Sequence, residues 1–364
     1  PGVLPSGLEE FPLKESYSSL WDNSWPRSPR FPRSSRLIDS LTPTGFDRAL
    51  IATRLSPSGV KRIATDPPII YVDDVPRFGI DSKSEKFHVA QVRVTSNSTR
   101  FSLRPKHVVF AAGGLGNLSL LASLSGENVG VPISQLLGRG FMNHPKQITM
   151  RLQLRRPYRL RSLLGFERDD TWGFAQTLES HSFEFFDRRL RVSHRFWPIN
   201  GSKERLKRLS RRIVNQLGFV DQLNVMTYFE VPSLASNQIG LDLNWPEYQV
   251  RATHMAPAWA IQQYNDSLFR ARQALEQSPL VESVSSRELD WNQLMSMDAH
   301  HYMGVTRMSS DPLEGVVDSN CKVFGSENLF CVGTSVLPVG SSLHPTLLAA
   351  RLCEVAVETI LASG

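Results

Sequence analysis

The chain has 364 residues, 41% of them hydrophobic and 21% charged, which excludes a disordered polymer and implies about two domains. Its three cysteines, Cys321, Cys331 and Cys353, exclude a disulfide framework and any CxxC metal site, so no metal is expected. No run of about 18 apolar residues occurs, so no spanning helix is expected, and the formal charge of +6 gathers over residues 151–212 without the zinc spacing or interleaved aromatics of a nucleic-acid binder.

Residues 1–65 are rich in Pro, Ser and Arg; residues 25–36 in particular read as loop or extended arm. Residues 87–94 alternate apolar and polar positions as a strand does, a polar turn is expected over 81–86, and 102–110 ends in the apolar run Val108, Val109 and Phe110. Residues 108–112 then read as a buried strand, 113–116 as a glycine turn, and 117–124 as a short helix capped by Asn117. Strand, glycine turn and helix is the layout of a nucleotide-binding α/β sheet, because glycines admit a ligand to the backbone and a helix N-terminus favours negative charge. A tight strand-to-helix connection with no ligand would look the same.

Residues 146–297 have a different texture. Strand-like pieces at 147–154, 222–230 and 238–243 intermingle with helical patterns at 203–217 and 261–276, which is an α+β arrangement. The 203–217 helix is basic on one side and apolar on the other, the pattern of a solvated helix face. Beyond it, 328–332 is again a buried strand, followed by the turn Gly333-Thr334-Ser335 and a helix from Pro345 to about residue 362. Proline suits a first helical turn, where no amide hydrogen is needed.

The chemistry-bearing stretch runs from 298 to 346. It contains H-x-x-G-x-x-R-M at 301–308, V-V-D-x-N-x-x-V-x-G at 316–325, N-L-x-x-x-G-x-S-x-x-P at 328–338 and H-P-T at 344–346. These strings, in this order, resemble the glucose–methanol–choline family of flavin oxidoreductases. Upstream, 108–126 resembles that family's strand-helix stretch, and G-R-G-F-M-N-H-P at 138–145 is similar to its G-R-x-x-x-x-H-P string.

The resemblance implies an α/β plus α+β fold: part of an FAD-binding Rossmann-like domain (66–145 with 298–364) and a substrate domain (146–297) built on an antiparallel sheet and helices, with 1–65 an unassigned arm. It implies FAD as cofactor, a small-molecule alcohol as substrate, an unspecified electron acceptor, and hydride transfer from CH–OH to flavin. His301 matches the family's catalytic histidine, a group whose pKa suits a general base, and His344 matches its partner. Ala112, Gly113, Gly333, Thr334, Ser335, Pro345 and Thr346 match cofactor-contacting positions. His144 falls in a string that is largely architectural in the family.

One departure stands out. The family's N-terminal G-x-G-x-x-G is absent, so this chain is expected to be the C-terminal portion of a longer protein and to hold FAD weakly or not at all by itself. Two alternatives keep the same scaffold: a hydroxynitrile-lyase-like enzyme without net redox chemistry, or a flavin-free binding remnant.

Overall fold

A computed structural model describes residues 47–52, 76–81, 86–124, 135–159, 181–187, 192–198, 219–242, 249–296, 301–340 and 345–363. The elements in chain order are β1 (Asp47–Ala52), β2 (Arg77–Asp81), β3 (His88–Ser96), β4 (Thr99–Leu103), β5 (Val108–Phe110), α1 (Gly113–Leu124), β6 (Lys146–Arg159), β7 (His181–Asp187), β8 (Val192–Pro198), β9 (Phe219–Phe229), β10 (Gln238–Asp242) and β11 (Gln249–Thr253). There follow α2 (Ala258–Gln277), β12 (Val281–Ser286), α3 (Trp291–Ser296), β13 (Leu329–Cys331), a 3₁₀ turn (Thr334–Val336) and α4 (Thr346–Ala362). Among the described residues the fold is mixed α/β, with antiparallel sheets and one parallel strand pair. The basic helix expected at 203–217 and the arm at 25–36 lie outside the described residues, as does most of the turn expected at 81–86.

The largest sheet has six strands in the order β1-β7-β8-β9-β6-β12, all antiparallel. β1 lies within the stretch that the sequence leaves unassigned, and it pairs with β7 from Asp47 opposite Phe186 to Ala52 opposite His181. Along β6, Met150, Leu152 and Leu154 alternate inward and are buried. A register shift between Ile148 and Met150 is the bulge that lets Thr149 and Met150 both be buried in succession.

Helix α2 covers this face. Its buried positions Ala260, Tyr264, Ser267, Ala271, Ala274 and Leu275 recur at helical spacing. Arg272 and Glu276 pair at 2.7 Å, both well exposed to solvent. Leu152, Leu154, Leu223 and Val225 pack with Ala271, Ala274 and Leu275 in one core; each leucine so buried contributes roughly 1.5–3 kcal/mol. At the other end of the helix, Phe229, Tyr264 and Trp291 form an aromatic cluster with ring centroids 5.2–5.6 Å apart.

A second core surrounds the parallel pair β13-β5, in which Leu329, Phe330 and Cys331 oppose Val108, Val109 and Phe110. Leu121 and Leu124 of α1 and Leu348, Leu352 and Ala356 of α4 pack into it. Asn328 ties this pair to the β2-β3-β4 sheet: its Oδ1 accepts the Val89 N–H at 2.9 Å, and its amide donates to the Val89 and Lys106 carbonyls at 3.0 and 3.2 Å.

Around β5 and α1 the structure departs from the local sequence pattern. The strand expected at 108–112 ends at Phe110, and it is not wholly buried: Val109 is 44% exposed, and Ala111 and Ala112 are exposed as well. The helix starts at Gly113, so the glycines belong to it and Asn117 lies inside it. Asn117 is fully buried and is no cap. Its side chain accepts the Ala112 N–H at 2.8 Å and donates to the Val332 carbonyl at 2.8 Å and to Ser335 Oγ at 2.9 Å. A short amide that bridges two strand ends replaces the backbone partners that those ends lack.

Candidate functional site

Residues 138–145 form a loop with two glycines at positive φ, Gly138 (81°) and Gly140 (75°). The loop meets residues 301–304 through a two-way backbone bridge. Met142 N donates to the Met303 carbonyl, and Met303 N to the Met142 carbonyl, both at 3.0 Å. Because the bridge is antiparallel, each step forward from Met142 is matched by a step back from Met303. His144 is therefore opposite His301, two positions along on the same side of the bridge.

The geometry agrees with that register. The two Nδ1 atoms are 3.2 Å apart, and the rings meet edge to face with centroids 5.2 Å apart and planes at 84°. An N···N contact at this distance requires a proton on one Nδ1 and a lone pair on the other, so the pair is coupled. Asn143 Oδ1 holds both backbones, accepting the His144 N–H at 2.9 Å and the His301 N–H at 3.3 Å. His144 is buried and His301 half-buried. Gly304 has φ +80°, and a Cβ there would lie 2.8 Å from Met142 Cε and nearer still to the Gly140 carbonyl oxygen. Glycine is required at that crossing.

The strand ends lie alongside. Gly113 has φ +73° and Gly333 φ +108°, and a Cβ built on either would meet nothing among the described residues within 4 Å. Both glycines therefore border open space just beyond the carboxyl ends of β5 and β13, where open α/β sheets bind their ligands. Ala112 is exposed beside Gly113. Thr334 Oγ1 donates to the Tyr302 carbonyl at 2.8 Å, joining the glycine turn to the His301 segment. Ser335 is fully buried, and its hydroxyl accepts from Thr306 Oγ1 at 2.7 Å and from Asn117 at 2.9 Å. In this structure that side chain serves an internal network. Pro345 is the residue before α4, whose first residue is Thr346.

Of the residues expected from sequence, His301, Ala112, Gly113, Gly333 and Thr334 are gathered at this end of the molecule. His344 and His300 lie outside the described residues. The contact that the sequence did not announce is the one between His144 and His301. The two residues lie in the 138–145 and 301–308 strings, yet only the bridge between Met142 and Met303 brings them together.

Residues 235–352 match the family model described as GMC oxidoreductase, in its C-terminal form. This region is therefore similar to the C-terminal domain of GMC oxidoreductases. A dehydrogenase from Armillaria gallica is 39% identical over 62 residues, 17% of this chain and 10% of that protein. A formate oxidase structure from Aspergillus oryzae, concerned with modification of its FAD, superposes with a TM-score of 0.55 at 16% identity over 79% of this chain and 59% of that one. The chain spans less than two thirds of the length of the proteins it matches. At that identity the likeness to the oxidase speaks for the fold alone.

Proposed function

We propose that this chain supplies the substrate-facing half of an FAD-dependent oxidoreductase acting on CH–OH groups. The observation that carries the reading is the coupled pair His301 and His144, 3.2 Å apart beside two glycine turns that open onto free space. The open glycines suit FAD, since a flat or phosphorylated group needs close approach to backbone that side chains would block. Ala112 and Gly113, Gly333 and Thr334, and the start of α4 at Pro345 and Thr346 would hold it. The bound cofactor would supply the hydride acceptor.

The protein's own residues then handle the proton. His301 accepts the hydroxyl proton, and its Nδ1 contact with His144 holds the ring in one orientation and spreads the charge that it gains. The backbone clamp from Asn143 restricts movement of both histidines, which favours a single reactive geometry. His344 remains the second substrate-oxygen partner implied by the family strings.

In a protein extended upstream so that it holds FAD, His301→Ala should retain the flavin and slow its anaerobic reduction by alcohol roughly a hundredfold or more. His144→Ala should slow it less. Reduction at an unchanged rate in His301→Ala would remove that residue from the mechanism.

A further inference from the structure

Beside the histidine pair lies a cavity of about 540 Å³, within the range of small-molecule sites. Its wall is mostly apolar, with Leu115, Phe141, Ile239, Ile261, Trp291 and Met295 prominent. Asn143 and Tyr302 also line it, so it adjoins the segment that carries His301. A polyol would leave several hydroxyls against such a wall without partners, at about 1–3 kcal/mol each.

One polar side chain in the wall is placed unusually. His254 Nδ1 faces the Met295 carbonyl at 3.1 Å. A carbonyl only accepts, so Nδ1 carries the proton and Nε2 presents a lone pair. Nε2 is buried and has no hydrogen-bond partner among the described residues. Burial also lowers the pKa of this histidine, only partly opposed by its bond to Met295, which keeps the ring neutral and the lone pair available. The Phe141 ring packs against the imidazole with centroids 5.2 Å apart.

We propose that this cavity holds the carbon skeleton of a flat, apolar alcohol, and that His254 selects molecules bearing a second hydrogen-bond donor at the far end from the reacting carbinol. The proposal rests on the oxidoreductase reading above and names its substrate class. A neighbouring ring such as Phe141 turns aside as the donor approaches, and the buried lone pair gains the partner that it lacks.

The test is equilibrium binding to the 364-residue chain, followed by tryptophan fluorescence, with benzyl alcohol, 4-hydroxybenzyl alcohol and sorbitol as probes. 4-Hydroxybenzyl alcohol should bind about 3- to 10-fold more tightly than benzyl alcohol, the worth of one hydrogen bond, and sorbitol should not bind detectably. His254→Leu should abolish the difference between the two aryl alcohols, because the donor's partner is removed. Val250→Trp, at a wall position that is 49% exposed, should block both aryl alcohols by filling the cavity. Sorbitol binding as well as the aryl alcohols, no binding of either aryl alcohol, persistence of their difference in His254→Leu, or indifference to Val250→Trp would each overturn the proposal. No flavin or turnover enters these measurements. A failure here leaves the His301 experiment standing, and a failure there leaves this one standing.

Discussion

His194 should make the fold acid-sensitive. It is fully buried on β8, with Nδ1 3.0 Å from Thr227 Oγ1 on β9 and Nε2 3.2 Å from Ser267 Oγ on α2. Thr227 in turn meets Thr149 Oγ1 of β6 at 2.7 Å. Burial pushes the imidazole pKa from 6.5 down to about 3, so the folded protein refuses a proton that the unfolded chain accepts. The resulting stability is fully present above pH 6.5, declines as pH falls below it, and levels off near pH 3. At pH 5 the loss relative to pH 7.5 is about 2 kcal/mol, rising to about 5 kcal/mol at the lower limit. Urea unfolding at pH 7.5, 6 and 5 measures it directly. His194→Gln, which keeps polar contacts but cannot ionise, should be less stable at pH 7.5 yet should lose about 2 kcal/mol less than the parent on going to pH 5. Equal losses in parent and variant would refute the assignment of the acid sensitivity to His194.

Other outcomes follow from the same contacts. Asn117→Ala should cost about 2–4 kcal/mol in denaturant unfolding, because it takes the side-chain partner from the Ala112 N–H and the buried Val332 carbonyl and one of two donors from the Ser335 hydroxyl. Gly304→Ala should destabilise by about 1–3 kcal/mol or more through its positive φ. It should also separate His301 from His144, so that imidazole NMR signals of both residues shift together. Titration of FAD into the 364-residue chain should show weak binding or none, since the G-x-G-x-x-G turn that receives a pyrophosphate does not occur in it; tight stoichiometric binding would show that the strand-end glycines suffice.

Much of this protein was legible without coordinates. The strings at 301–308, 316–325 and 328–338 depend on glycine turns and short apolar strands, which are local properties, and they carry the resemblance to the family and single out His301 as a candidate. Period-2 and period-3.6 patterns located β6, β9, β10 and α2 to within a few residues for the same reason. Asn117 shows where local reading stopped. An Asn after a glycine run resembles a helix cap, yet its real partners are Val332 and Ser335, more than 200 positions away. β1 likewise has no periodicity that announces it, and only pairing with β7 makes it a strand. The histidine pair and the cavity beside it were decided by tertiary structure alone. Whether His144 is scaffold or chemistry depends on an antiparallel bridge between Met142 and Met303, and whether His254 is satisfied depends on which carbonyl folds against it. Residue type and spacing set what a side chain can do, but contacts between segments far apart in sequence determine what it meets.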